Sequence, residues 1–172
     1  MFFSLQDLEL RKIHFDVAFQ PGEINLSDPE LKQAGPLAAQ GVAELLSHTL
    51  GEIRLKGHLR VAVESACDRC LDPASFPIDT DFDLFFRPLD TSPSGEEVEI
   101  DEGETEISFY DGDGIQLEDA LREYVLLSLP MQRVCREDCK GICPVCAENR
   151  NVVACNCSVK LVDDRWEALG KL

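Results

Sequence analysis

Positive charge is scarce in this chain, histidine is scarcer, and long apolar runs are missing. Sixteen lysines and arginines stand against 33 aspartates and glutamates, a formal net charge of −17 over 172 residues. An acidic surface gains little from counterion release at a phosphate backbone, which excludes broad electrostatic binding to nucleic acid. The three histidines, His14, His48 and His58, are isolated, with no HExxH pattern, Ser/His/Asp set or Gly-rich phosphate loop around them. An enzyme is not expected, nor a small-molecule substrate. No stretch approaches the roughly 18 apolar residues of a membrane span. The opening "MFFSLQDLELRKIHFDV" has no basic segment followed by a long apolar one, so a cytoplasmic, untargeted chain with no membrane partner is expected. Internal repeats at the periods of solenoids are absent as well.

What is present is enough apolar content, 44%, for one ordinary core. The charge is unevenly placed. Asp90, Glu96, Glu97, Glu99, Asp101, Glu102, Glu104 and Glu106 fall between Pro88 and Ile107 with no basic residue among them, and without these eight the net charge is −9. A run of this kind is usually a solvated loop. If it binds anything, a basic protein fits, with Glu96, Glu97, Glu99, Asp101 and Glu102 as the contact residues.

Strand periodicity is clearest in the middle of the chain. Ile53, Leu55, Gly57, Leu59, Val61 and Val63 alternate with Arg54, Lys56, His58, Arg60, Ala62 and Glu64, and Phe76, Ile78, Thr80, Phe82, Leu84 and Phe86 alternate with Pro77, Asp79, Asp81, Asp83 and Phe85. Pairing the two as a hairpin, with opposed residues summing to 139, sets Leu55 against Leu84 and Val61 against Ile78. The same register sets Lys56, His58 and Arg60 against Asp83, Asp81 and Asp79, and a slip of one residue destroys both matches. The basic stripe Arg54, Lys56, His58 and Arg60 is a candidate ribbon for limited RNA contact, although the facing aspartates already explain it as a charged, solvated face. The hairpin tip falls at 67–72, "CDRCLD".

Elsewhere, Leu8 to Phe19 reads as a strand ending at Pro21-Gly22, residues 39–47 as another, and "HTLGE" (48–52) as a turn. "ISFYDG" (107–112) reads as a short strand. Asp113 and Gln116 have capping-box spacing, which predicts a helix that buries Leu117, Ala120, Leu121, Tyr124 and Val125 and ends at Pro130. "VDDRWEALGKL" reads as a terminal helical turn or two. The predicted fold is α+β: an antiparallel β-meander with one main helix over 1–130, an acidic loop at 88–106, and a cysteine-rich, zinc-binding segment, 131–172, clasped to the body.

Eight cysteines come in four close pairs, Cys67/Cys70, Cys135/Cys139, Cys143/Cys146 and Cys155/Cys157. In a reducing compartment such pairs predict metal ligation before disulfides. A two-residue gap lets one tight turn offer two thiolates to one ion, so two zinc ions with four cysteines each is the economical count. The sequence-local grouping joins Cys143/Cys146 to Cys155/Cys157 and leaves Cys67/Cys70 with Cys135/Cys139. The other grouping joins Cys135/Cys139 to Cys143/Cys146 and leaves Cys67/Cys70 to Cys155/Cys157. Each filled site adds −4 from thiolates and +2 from the ion, taking the net charge from −17 to −21.

Together, "CDRCLDP", "LPMQRVCREDCKGICPVCAENRN" and "CNC…DDRWEALGKL" resemble the bacterial YceD family, the large ribosomal RNA subunit accumulation proteins. Cys67 and Cys70 match its CxRC motif. Cys135, Cys139, Cys143 and Cys146 match its C-x3-C-x-G-[LI]-C-P-x-C motif, after which the family often has Gly where this chain has Ala147. The resemblance implies a non-enzymatic protein needed for accumulation of 23S rRNA and hence for large-subunit biogenesis. It also implies metal binding, and a ribosomal protein or pre-50S particle as partner. Two other classes fit the residues: a zinc-stabilised adaptor that binds a basic protein outside ribosome assembly, and a thiol redox sensor.

Overall fold

The computed structural model describes residues 1–89 and 107–157. The acidic loop expected at 88–106 and the terminal helical turns around Trp166 therefore lie outside the described residues, apart from Pro88 and Leu89. Two compact units divide the chain: Met1–Glu64 with Ser75–Pro130, and Ser65–Ala74 with Met131–Leu172.

The first unit is built on a mixed, mainly antiparallel sheet. Its strands are β2 (Ile13–Phe19), β3 (Lys32–Gln33), β4 (Leu37–Leu45), β5 (Ile53–Ala66), β6 (Pro73–Pro88) and β7 (Ile107–Tyr110). The hydrogen-bonded order is β2-β4-β5-β6-β7, with β3 on β5 beyond the end of β4. Strands β2, β4 and β5 pair antiparallel; β7 lies parallel to β6, Phe85 opposite Ile107 and Pro88 opposite Tyr110. Alternation in β5 sends Ile53, Leu55, Leu59, Val61 and Val63 into the core, and in β6 it buries Ile78, Phe82 and Phe86. The main helix, α2 (Leu117–Ser128), adds Leu117, Ala120, Leu121 and Val125 to that core. Tyr124 stacks tilted on Phe82 at 5.6 Å and donates to the Asp81 carbonyl at 2.9 Å.

The opposite face carries the cross-strand ion pairs. Arg54 donates to both oxygens of Asp83 at 2.7 and 2.6 Å, and Lys56 lies 3.8 Å from the same carboxylate. His58 meets Asp81 and Asp79, each at 2.9 Å, and Arg60 meets Asp79 at 2.8 Å. On β4, Glu44 lies opposite Arg54 and is in contact with it.

Two expectations are corrected near the N-terminus and at α2. Residues 8–10 are not strand: Leu5–Leu10 form the short helix α1, because the Ser4 hydroxyl accepts from the Asp7 N–H at 3.1 Å and caps it, while Leu8 is buried. Strand character begins at Ile13. The main helix starts at Leu117, four residues beyond Asp113, because Gly114–Gln116 form β8, paired antiparallel with β1 (Phe2–Ser4). The Asp113 carbonyl accepts from Leu5 N–H instead, and Gln116 at the N-cap makes no side-chain cap bond. Leu129 is extended ahead of Pro130, which ends the helix as expected.

One row across the sheet limits what may occupy it. Phe15 on β2 faces Gly41 on β4, and Gly41 faces Gly57 on β5. A Cβ on Gly41 would stand 2.8 Å from the Phe15 ring, and one on Gly57 would stand 2.8 Å from the Phe82 ring and 2.3 Å from the Gln40 carbonyl. The glycine pair makes room for two aromatic rings that cover it. Gly57→Ala should therefore lower stability by about 1–3 kcal/mol, whereas Gly35→Ala should shift it by no more than about 0.5 kcal/mol. Gly35 has nothing within 4 Å of its Cβ position. Urea unfolding checks this; equal midpoints for the two variants would contradict the row.

The Arg54 hydrogen bond holds the Asp83 carboxyl below its ordinary value against the opposing effect of burial. A lowered folded-state value contributes stability above the unfolded carboxylate range and loses it as pH falls through the folded value. Asp83→Asn should thus cost under about 1 kcal/mol at neutral pH, and its stability should converge with the parent chain in acid. Denaturant titrations at several pH values read this directly; a gap that widens toward acid would refute it.

Candidate metal centres

Backbone conformation at two tight turns brings the cysteines into place. In the first, Cys67 N–H donates to the Asp72 carbonyl at 2.8 Å and Leu71 N–H donates to the Cys67 carbonyl at 2.9 Å. In the second, Cys143 N–H donates to the Glu148 carbonyl and Ala147 N–H to the Cys143 carbonyl, both at 2.8 Å. Leu71 and Ala147 occupy the same place, just after the second cysteine, and both are left-handed, with φ of 62° and 58°. The two Cys-x-x-Cys turns are therefore one structure made twice. A non-glycine residue in that conformation costs about 1 kcal/mol, so Ala147 holds the turn that a glycine would adopt without strain.

The structure brings together Cys67, Cys70, Cys135 and Cys139, and separately Cys143, Cys146, Cys155 and Cys157. Within each tetrad all four sulfurs lie within 4.8 Å of one another. This is the sequence-local grouping of the two considered above. In the first tetrad the Cys67–Cys139 and Cys70–Cys135 sulfurs are 3.9 and 3.7 Å apart. Four sulfurs placed about 2.3 Å from one ion at tetrahedral angles are about 3.8 Å apart, so the donor set fits a single tetrahedral cation. All eight cysteines are free thiols.

Backbone donors decide which thiols ionise first. Burial pushes Cys67 up, but the N–H groups of Cys135, Cys70 and Arg69 outweigh it and hold the thiol down to about 6. The N–H groups of Cys146 and Val145 do the same for Cys143, also to about 6. The side-chain amide of Asn151 holds Cys139 down. Their neighbours move the other way. Asp72 N–H favours the Cys70 thiolate, yet burial and the surrounding thiols drive Cys70 up to about 12; in the second tetrad the Cys146 thiol pushes Cys157 up to about 12. Within each tetrad some thiols ionise readily while others resist, and a cation among the sulfurs would reverse that resistance.

Residues around the first tetrad tie its two halves together. The Asp68 carboxylate accepts from Arg133 N–H at 2.6 Å, and Asp68 N–H donates to the Arg133 carbonyl at 2.8 Å. The Arg69 guanidinium donates to the Cys139 carbonyl at 3.3 Å, while the Arg69 carbonyl accepts from Ile142 N–H at 2.9 Å. At Gly141, with φ of 69°, a Cβ would stand 2.8 Å from that same carbonyl. Asn149 donates to Asp72 at 2.6 Å, and Asn151 donates to the Cys139 sulfur at 3.4 Å. Hydrogen bonds to a ligating sulfur of this kind orient it and tune its basicity. Sequence reading did not single out Asp68, Arg69, Asn149 or Asn151. The signal was there, since each lies within a cysteine pair's turn or in the short loop "AENRNVVA" between two pairs.

The remaining site residues stand apart from the cysteines. Arg54, Lys56, His58 and Arg60 lie on β5 and each contacts an aspartate of β6. Glu96, Glu97, Glu99, Asp101 and Glu102 lie outside the described residues. Titration of the reduced, metal-free chain with cobalt(II) should saturate at two ions, with thiolate charge-transfer absorption. Cys143→Ser should remove one ion and leave the other bound. A single ion, or the loss of both from that one substitution, would contradict two separate tetrads.

Comparison with known proteins follows the same residues. The family model described as "Large ribosomal RNA subunit accumulation protein YceD" matches residues 55–172. The chloroplastic "Large ribosomal RNA subunit accumulation protein YCED homolog 1" of Zea mays is 27% identical over 138 residues, which is 65% of this chain and 46% of that protein. The chain thus spans about half the length of that relative. "Uncharacterized protein YlbN" of Bacillus subtilis (strain 168) is 22% identical over 172 residues, 99% of this chain and 93% of its own length. No solved structure gives a significant match. Since the family match runs from β5 through the hairpin tip and α2 to both cysteine tetrads, the chain belongs to the YceD family of large ribosomal RNA subunit accumulation proteins.

Proposed function

We propose that this chain is a non-enzymatic, zinc-stabilised cytoplasmic factor that supports 23S rRNA accumulation and large-subunit biogenesis. The observation that carries this reading is the set of four clustered cysteine sulfurs in each tetrad, which would complete the coordination of a tetrahedral ion and leave no position for a water or a substrate. Such a site contributes folding energy rather than chemistry. Structural zinc is worth on the order of 10 kcal/mol or more of apparent folding free energy, against roughly 3–5 kcal/mol for a disulfide closing a comparable loop. A soft four-sulfur tetrahedron suits zinc, which brings no redox chemistry of its own.

The family's description supports the ribosomal side of the reading. With a net charge of −17, the partner of choice is a basic ribosomal protein, alone or on a pre-50S particle, met through the acidic residues Glu96, Glu97, Glu99, Asp101 and Glu102. Any direct contact with rRNA is limited. It would use Arg54, Lys56, His58 and Arg60, whose carboxylate partners on β6 would have to yield.

Native mass spectrometry of the purified chain should find two zinc ions, both removed by a strong chelator with loss of folded structure in the second unit. No metal together with reversible disulfides would instead make the chain a thiol redox sensor. Depletion in the cell should lower 23S rRNA and the ratio of large to small subunits. Unchanged rRNA and subunit ratios would leave an adaptor outside ribosome assembly.

A further inference from the structure

The geometry points to a second functional surface, remote in sequence from the cysteines: the groove between β7 and α2 binds an extended, basic peptide segment as an added strand. This inference adds a second contact for the basic partner proposed above and rests on that reading.

β7 ends the sheet, and among the described residues no strand pairs with its outer side. A strand in that position turns half of its N–H and C=O groups outward, where an extended chain can meet them. Beside it runs a groove of about 580 Å³ lined by residues of β7, α2, β1 and β8. Its floor and wall include Phe2 and Phe109, two aromatic side chains left 53% exposed, together with the half-buried Leu126. Both rings line the same groove, so together they offer an apolar surface that an extended chain can cover.

Charge selects the occupant. Among the described residues the groove is lined by the carboxylates of Asp111, Asp119 and Glu123, against one cation, Arg122. Arg122 is engaged by Asp119 at 2.8 Å, whereas Asp111 and Glu123 have no ion-pair partner among the described residues. The chain's own acidic run, Asp90 to Glu106, has the wrong sign for this lining. An extended segment that alternates basic and apolar side chains satisfies all three features at once. Its backbone pairs with β7, one set of side chains rests on Phe2 and Phe109, and the other reaches the carboxylates.

The test uses the full, metal-loaded chain and short synthetic peptides alternating lysine with valine or with phenylalanine, read by fluorescence anisotropy. The lysine peptides should bind, and the same peptides with glutamate for lysine should bind at least about tenfold more weakly. Asp111→Asn with Glu123→Gln, and separately Phe109→Ser, should each weaken binding by about tenfold. N-methylation of one alternate set of peptide amides should abolish binding while methylation of the other set leaves it intact, because only one set faces β7. Absence of binding by every lysine peptide overturns the inference, and so does binding indifferent to the carboxylate pair. Sedimentation that shows a dimer lost in Phe109→Ser would give the face to a second copy of the chain and also overturn it. None of these outcomes alters the rRNA result of depletion, so the two readings fail separately.

Discussion

Four sulfurs held within 4.8 Å of one another cannot all carry charge unless a cation sits among them, and the cysteine-bearing unit is arranged around that constraint. Backbone N–H groups of the two Cys-x-x-Cys turns stabilise one thiolate in each tetrad, at Cys67 and at Cys143. Once that charge exists, the neighbouring thiols resist ionising. The arrangement therefore favours charge at some of the sulfurs and opposes it at others, and a cation among them would remove that opposition. Asn151 on Cys139, Arg69 on the Cys139 carbonyl and Asp68 on Arg133 hold the frame in which this happens.

The sheet meets a different constraint, which is steric. Strict alternation in β5 and β6 separates a buried apolar face from a face of paired charges, and the pairs Lys56–Asp83, His58–Asp81 and Arg60–Asp79 match only in one register. The tip of that hairpin is where Cys67 and Cys70 stand. A one-residue slip would misplace the ion pairs and the cysteine turn together, so electrostatics on the sheet and the cysteine cluster at the tip specify the same pairing. The Gly41–Gly57 pair works in the same direction, because only this alignment sets two glycines beneath two rings.

Much of this was legible in the residues. The long hairpin, the turn at 48–52, the apolar face of α2 and its end before Pro130 follow from periodicity and from proline, which act over a few residues. What was missed has a different character. Residues 8–10 read as strand because their apolar spacing is ambiguous over so short a span, and the Ser4–Asp7 cap that makes them helical is a single hydrogen bond. The start of α2 was misplaced because Gly114–Gln116 pair with Phe2–Ser4, more than 100 residues away in the chain, and local capping chemistry at Asp113 gives way to that partner. The parallel placement of β7 likewise depends on a neighbour and leaves no local mark.

The sequence by itself determined the candidate donors, their count and their pairing into four close couples, because the spacing between two cysteines limits what one turn can present. It also determined the faces of the long strands and the register that satisfies them. Only the tertiary structure decided which couples share a centre. Both groupings satisfy spacing, and the choice depends on where residues 67–72 and 131–157 meet in space, through Asp68, Arg69 and Gly141. Only the tertiary structure, too, made a groove out of Phe2, Phe109 and Glu123. Those residues are scattered along the chain, and proximity created by distant strand pairing has no periodicity from which it could be read.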